Sequence, residues 1–77
     1  MSSIQDTMNQ IQAIIEEKLL PHAKDPSQYQ IAEILLSRVE AMINTERVCG
    51  GNVLLCDTCR SRCDLLRLRL AVARDSQ

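Results

Sequence analysis

The run Tyr29-Gln30-Ile31-Ala32-Glu33-Ile34-Leu35-Leu36-Ser37-Arg38-Val39-Glu40-Ala41-Met42-Ile43 decides the fold. Wound at 3.6 residues per turn, Tyr29, Ile31, Ile34, Leu35, Val39, Met42 and Ile43 form a broad apolar stripe, and Glu33, Ser37, Arg38, Glu40 and Asn44 fall mostly on the other side. The start of this helix is marked. Asp25 can cap it, and Pro26 suits the first helical position, where a missing N–H costs nothing. The pattern predicts a helix over about residues 26–47.

Toward the N-terminus, Ile4, Met8, Ile11, Ile14, Ile15, Leu19 and Leu20 recur with the same period between Gln, Asn, Glu and Lys. A helix is expected over about residues 3–20, with Ser2 or Ser3 at its cap. Pro21 ends it, because the residue before a proline is pushed out of the α region. The short connector His22-Ala23-Lys24-Asp25-Pro26-Ser27, within which the second helix starts, makes the two helices antiparallel neighbours, with Ile11, Ile15 and Leu19 holding them together. Toward the C-terminus, Gly50-Gly51-Asn52 breaks the pattern, since glycine disfavours a helix interior and readily takes positive φ. A Cys-containing turn is placed over about residues 48–56. A third helix follows over about 57–74, where Cys59, Cys63, Leu66, Leu70 and Ala73 step by four and three beside Arg60, Arg67 and Arg74. Asp75-Ser76-Gln77 is expected to fray. The fold class expected is all-α, an antiparallel hairpin followed by a third helix in one domain spanning residues 1–77.

Composition bounds the function. The chain has 77 residues, no Phe or Trp, and Tyr29 as its one aromatic, so its core must come from aliphatic residues, Met, Ala and the four cysteines. A core this thin usually needs a metal, a disulfide or a partner chain to complete it. The net charge of −1 hides an asymmetry: residues 1–48 hold seven acids and four bases, residues 49–77 three acids and five Arg. The balance gives no net pull toward nucleic acid, and no aromatic is interleaved with the arginines to stack on bases, so a solvated face or an acidic protein partner is the better match for the tail. Residues 1–6 lack the basic and apolar regions of a secretion signal, and no run is apolar enough to span a bilayer. A cytoplasmic location is expected, where thiols stay reduced.

The cysteines are spaced Cys49-x6-Cys56-x2-Cys59-x3-Cys63. One reading is a structural zinc held by Cys49, Cys56, Cys59 and Cys63. A CxxC turn delivers two sulfurs to one ion, and thiols four apart on a helix face the same way. The other reading is a helix seam. Cys49, Cys56, Cys63 and Leu70 are seven apart, Cys59, Leu66 and Ala73 form a second seven-residue series, and a free Cys behaves as a small apolar residue. A redox pair at Cys56 and Cys59 lacks the usual βαβ setting. No enzyme signature stands elsewhere. His22 is the one histidine, Glu16-Glu17 reads as helix surface, and Gly50-Gly51 is not followed by the residues of a phosphate loop.

Residues 4–45 resemble the small E-type co-chaperones of the bacterial type III secretion needle, a likeness carried by Gln28, Tyr29 and Gln30 at the start of the second helix and by Val39, Glu40, Ala41 and Ile43 within it. The resemblance implies a cytoplasmic partner of a tetratricopeptide-like chaperone, the two together keeping the needle subunit soluble before export. Independently of it, a hairpin with more aliphatic stripe than its small core can use should lay the surplus on another protein or on its own copy. The residues expected to touch a partner are Ile31, Leu35, Val39 and Met42, with Tyr29 as aromatic anchor. A non-enzymatic interaction protein is therefore the leading expectation. A zinc-binding regulator with an Arg-bearing helix and a metal-free self-associating bundle are its rivals, and no small-molecule substrate or membrane is expected.

Overall fold

The computed structural model describes residues 3–22 and 25–75. Three helices follow one another without strands among these residues: α1 (Ile4–Ile14), α2 (Pro26–Val48) and α3 (Val53–Asp75). Local chemistry sets each start. The Ser3 hydroxyl accepts from the Asp6 N–H at 3.1 Å, and Asp6 places a negative charge on the positive end of α1. The proposed alternative cap, Ser2, lies outside the described residues, as do Ala23 and Lys24 of the connector and Ser76 and Gln77 of the tail. Asp25 caps α2 as expected, its carboxylate accepting from the Ser27 N–H at 3.0 Å and the Ser27 hydroxyl at 2.9 Å, with Pro26 at the first helical position.

The first helical segment does not stop at Ile14. It widens into a π-helical turn over Ile15–Leu19 and tightens into a 3₁₀ turn over Leu20–His22, which contains Pro21. Ile15 and Leu19 continue the buried stripe of Ile4, Met8 and Ile11 through the wider turn.

The turn between α2 and α3 is shorter than the sequence pattern suggests, at Cys49–Asn52. Gly50 adopts φ +78°, its N–H donates to the Arg47 carbonyl at 3.2 Å, and the Gly51 N–H donates to the Glu46 carbonyl at 2.8 Å. This is a Schellman closure, which satisfies two of the last carbonyls of α2. Asn52 then starts α3: its side chain accepts from the Leu55 N–H at 3.1 Å. Because Asn52 caps a helix rather than extending the loop, α3 begins at Val53 instead of about residue 57, and Cys56 lies in its first turns.

The helices run up, down and up. On α2 and α3, Arg47 meets Asp57, the Cys56 thiol approaches the Ile43 carbonyl, and Arg74 lies over Tyr29, which is the register of an antiparallel pair. Arg62 bonds Asn9 and Gln12 and Arg69 bonds Glu16, which aligns α1 parallel to α3. One core joins all three helices. It comprises Ile4, Met8, Ile11, Ile15 and Leu19 from the first segment, Ala32, Leu36, Val39 and Ile43 from α2, and Cys56, Cys59, Cys63, Leu66 and Leu70 from α3. The buried positions of α2 and α3 alternate by four and three, the knobs-into-holes spacing of helix bundles. The result is a rod of 42 × 21 × 15 Å.

Candidate functional site

The cysteines divide sharply. Cys56, Cys59 and Cys63 have no solvent exposure and continue the leucine seam of α3, whereas Cys49 is exposed at the end of α2, outside that seam. The neighbours of the buried thiols are those of apolar side chains: Cys63 Sγ sits 3.6 Å from Met8 Sδ and Cys56 Sγ 3.7 Å from the Ile43 carbonyl oxygen. Burial raises the Cys59 thiol above its ordinary value and pushes that of Cys63 up to about 11. Among the described residues no three of His, Cys, Asp and Glu gather where they could share one ion. Cys56 and Cys59 also lie one turn apart along a helix rather than in a CxxC turn, so Cys56, Cys59 and Cys63 take the seam positions read from the sequence, while Cys49, assigned to the same series, stands apart from it.

The arginines of α3 are also largely committed within the chain. Arg67 reaches both Glu33 and Glu40, which are seven apart and so share a face of α2. Arg69 pairs with Glu16 at 2.6 Å and holds that carboxyl below its ordinary range through the side-chain hydrogen bond. The Arg62 guanidinium donates to Gln12 Oε1 and, at 2.8 Å, to Asn9 Oδ1. The Arg74 guanidinium carbon lies 4.5 Å from the centre of the Tyr29 ring. The positive excess of the C-terminal segment therefore meets the negative excess of the N-terminal one inside the molecule, as two halves of one surface.

The five expected partner residues end in three different settings. Val39 is fully buried and part of the core, so it is not a contact residue in this fold. Tyr29 is half-buried against the core beneath Arg74, and Leu35 and Met42 are half-buried at its edge. Ile31 is 43% exposed, and its neighbour Ile34 is 60% exposed. The core face of α2 is thus turned from the stripe read in the sequence: Ala32 and Leu36 point inward, and Ile31 and Ile34 are left to solvent. Met42 also lines a cleft of about 500 Å³ with Ser3, Ile4, Ala41, Thr45, Glu46 and Leu55, where the ends of α1 and α2 meet the start of α3. Ile31, Leu35 and Met42 lie on one side of α2, at i, i+4 and i+11, leading to this cleft.

A second apolar surface lies on α3. Leu65, Leu68 and Val72 are each 60% exposed, and Leu54 is more so. Sequence reasoning stopped at the inner series of α3 and missed this outer one. The signal was present as a second set of four-and-three steps, Leu65-Leu68-Val72, offset from Leu66-Leu70. Among the described residues no helix is long and apolar enough to cross a membrane. Comparison of the chain with family models, curated proteins and solved structures gives no match.

Proposed function

We propose that this chain is a non-enzymatic helical binding protein whose α2 face takes the apolar side of a helical protein segment. The observation that carries the reading is the position of Ile31 and Ile34. They are exposed on a helix whose core contacts are already closed by Ala32, Leu36, Val39 and Ile43, so folding of the chain itself gives them no partner. Leu35 and Met42 extend the face to the cleft beside Ile4 and Leu55, which has the size to receive a large apolar side chain. Its specific form is a cytoplasmic co-chaperone that, with a tetratricopeptide-like protein, holds a type III secretion needle subunit soluble; the likeness of residues 4–45 to that family supports this form. Within it, α3 is the element that closes the hairpin's inner stripe and directs partner contact to the outer one.

Co-expression with a needle subunit and its tetratricopeptide-like chaperone tests the proposal. The expected result is a complex of defined native mass that is lost when Ile31→Asp and Ile34→Asp are combined, while the isolated variant keeps its helicity. No complex with either protein would remove the co-chaperone form, and a complex indifferent to the two substitutions would remove the α2 face.

A further inference from the structure

The outer face of α3 carries a complete second heptad pattern. Leu54, Thr58, Ser61, Leu65, Leu68 and Val72 step by four and three along one side of the helix, nearly opposite the buried series that faces α1 and α2. With Thr58, Leu65 and Val72 at a, the d positions are Leu54, Ser61 and Leu68. Two of three a residues are β-branched and two of three d residues are Leu, the distribution that favours a parallel two-stranded seam.

The charges beside this seam are sorted by sign. The g positions hold Asp57 and Asp64, and the e positions hold Arg62 and Arg69. In a parallel pair each g residue faces the e residue five further along the other helix, so Asp57 meets Arg62 and Asp64 meets Arg69 of a second copy, and the two-fold axis makes each pair twice. An antiparallel pair would bring acid to acid and base to base. Neither Arg62 nor Asp64 has an ion pair among the described residues: Arg62 is held by the neutral amides of Asn9 and Gln12. Asp57 and Arg69 are already paired with Arg47 and Glu16, and both stay partly open to a further charge.

From this we infer that a second copy of this chain packs on α3, parallel and in register, through Leu54, Leu65, Leu68 and Val72, with Asp57–Arg62 and Asp64–Arg69 ion pairs across the seam. The inference goes beyond the α2 docking face and does not depend on it, since the two surfaces lie on different helices.

Sedimentation equilibrium under reducing conditions tests it. The wild-type chain is expected to dimerise, and Leu65→Asp with Leu68→Asp is expected to give a monomer of unchanged helicity. Asp64→Arg, which faces Arg69 of the second copy with a like charge, is expected to weaken the dimer by about tenfold, and adding Arg69→Asp to restore much of that loss. Orientation is read from Val72→Cys in a Cys49→Ser background: a parallel seam places the two new thiols side by side, and oxidation links the copies in high yield. A chain that stays monomeric, a dimer indifferent to the Leu65 and Leu68 substitutions, or a dimer that Val72→Cys does not link would each overturn the inference. Should the double Asp variant lose its helicity, the Val72→Cys linkage and the Asp64→Arg effect decide alone.

Discussion

The two faces of α3 use the same spacing and end in opposite environments. The inner face, with Cys56, Cys59, Cys63, Leu66 and Leu70, is covered by α1 and α2, while the outer face leaves Leu65, Leu68 and Val72 to solvent. Hydrophobicity separates them only in part, since the outer face carries Leu or Val at four levels and Thr58 and Ser61 at the other two. The difference lies in what flanks each face and how bulky it is. The inner face is small at its N-terminal half, where three thiols let α1 and α2 approach closely, and its flanks carry Arg67 and Arg62, whose reach spans to Glu33, Glu40, Gln12 and Asn9. In this chain the stripe that becomes the core is the wholly apolar one, and its polar flanks reach the other two helices.

The comparison breaks most visibly by truncation. Leu70→Ala on the inner face should cost about 2–5 kcal/mol, a large part of the stability of a domain this size. Leu68→Ala on the outer face should change the unfolding midpoint of the monomer by less than about 0.5 kcal/mol. Urea titrations of both variants at low protein concentration check this, and equal costs would mean the two faces are not distinct.

Alkali sharpens the same contrast. The folded Cys63 thiol is raised to about 11 from the ordinary 9.0, so the folded state keeps its proton over a range in which the unfolded state releases it. That contribution is full below pH 9 and is lost as pH rises toward 11, an effect on the order of 2 kcal/mol for a shift of this size. Stability measured from pH 8 to 11 should fall in wild type and fall less steeply in Cys63→Ala.

A smaller effect is expected at the flank. Arg67→Ala should cost about 1 kcal/mol, because its two carboxylate partners are part-exposed and partly screened by water. A double-mutant cycle with Glu40→Gln should recover most of the coupling, and a cycle value near zero would remove the flank from the account.

The smallest effect is expected outside both faces. Cys49→Ser should leave the unfolding midpoint unchanged and abolish fast reaction with a thiol reagent, since the other three cysteines are buried. A metal chelator should likewise leave helicity and midpoint unchanged; a loss of structure on chelation would restore the four-thiolate reading.

Much of the fold was legible because short-range chemistry marks it. Ser3, Asp25-Pro26 and Gly50 each act on backbone groups a few residues away, and the Cys59-Cys63-Leu66-Leu70 series has only one helical reading. The facing of α2 was not legible for a physical reason. Ile31, Ala32, Ile34, Leu35 and Leu36 spread over more than half of the circumference, so periodicity gives one broad stripe and does not choose which edge of it turns inward. On the edge that turns inward, Arg67 reaches Glu33 and Glu40 from a helix more than 25 residues away. Asn52 misled in the opposite sense, because the same side chain that favours a turn also caps the helix that follows it. The outer stripe of α3 was visible as spacing, but the residue pattern alone did not tell which stripe the chain would cover for itself.

The Schellman turn at Gly50 has a bearing on the order of assembly. It joins α2 and α3 through four residues, Cys49–Asn52, with Arg47 and Asp57 meeting just beyond, so little loop-closure entropy opposes their pairing. The contact of α1 with α3, such as Gln12 with Arg62, spans 50 residues of chain and closes later. Gly50→Ala, strained at φ +78°, should therefore slow refolding more than an equally destabilising change at the α1–α3 contact. During synthesis the consequence is sharper still. The first two helices leave the ribosome before α3, and the core they share is completed only when this 23-residue helix, with its three buried thiols, has emerged.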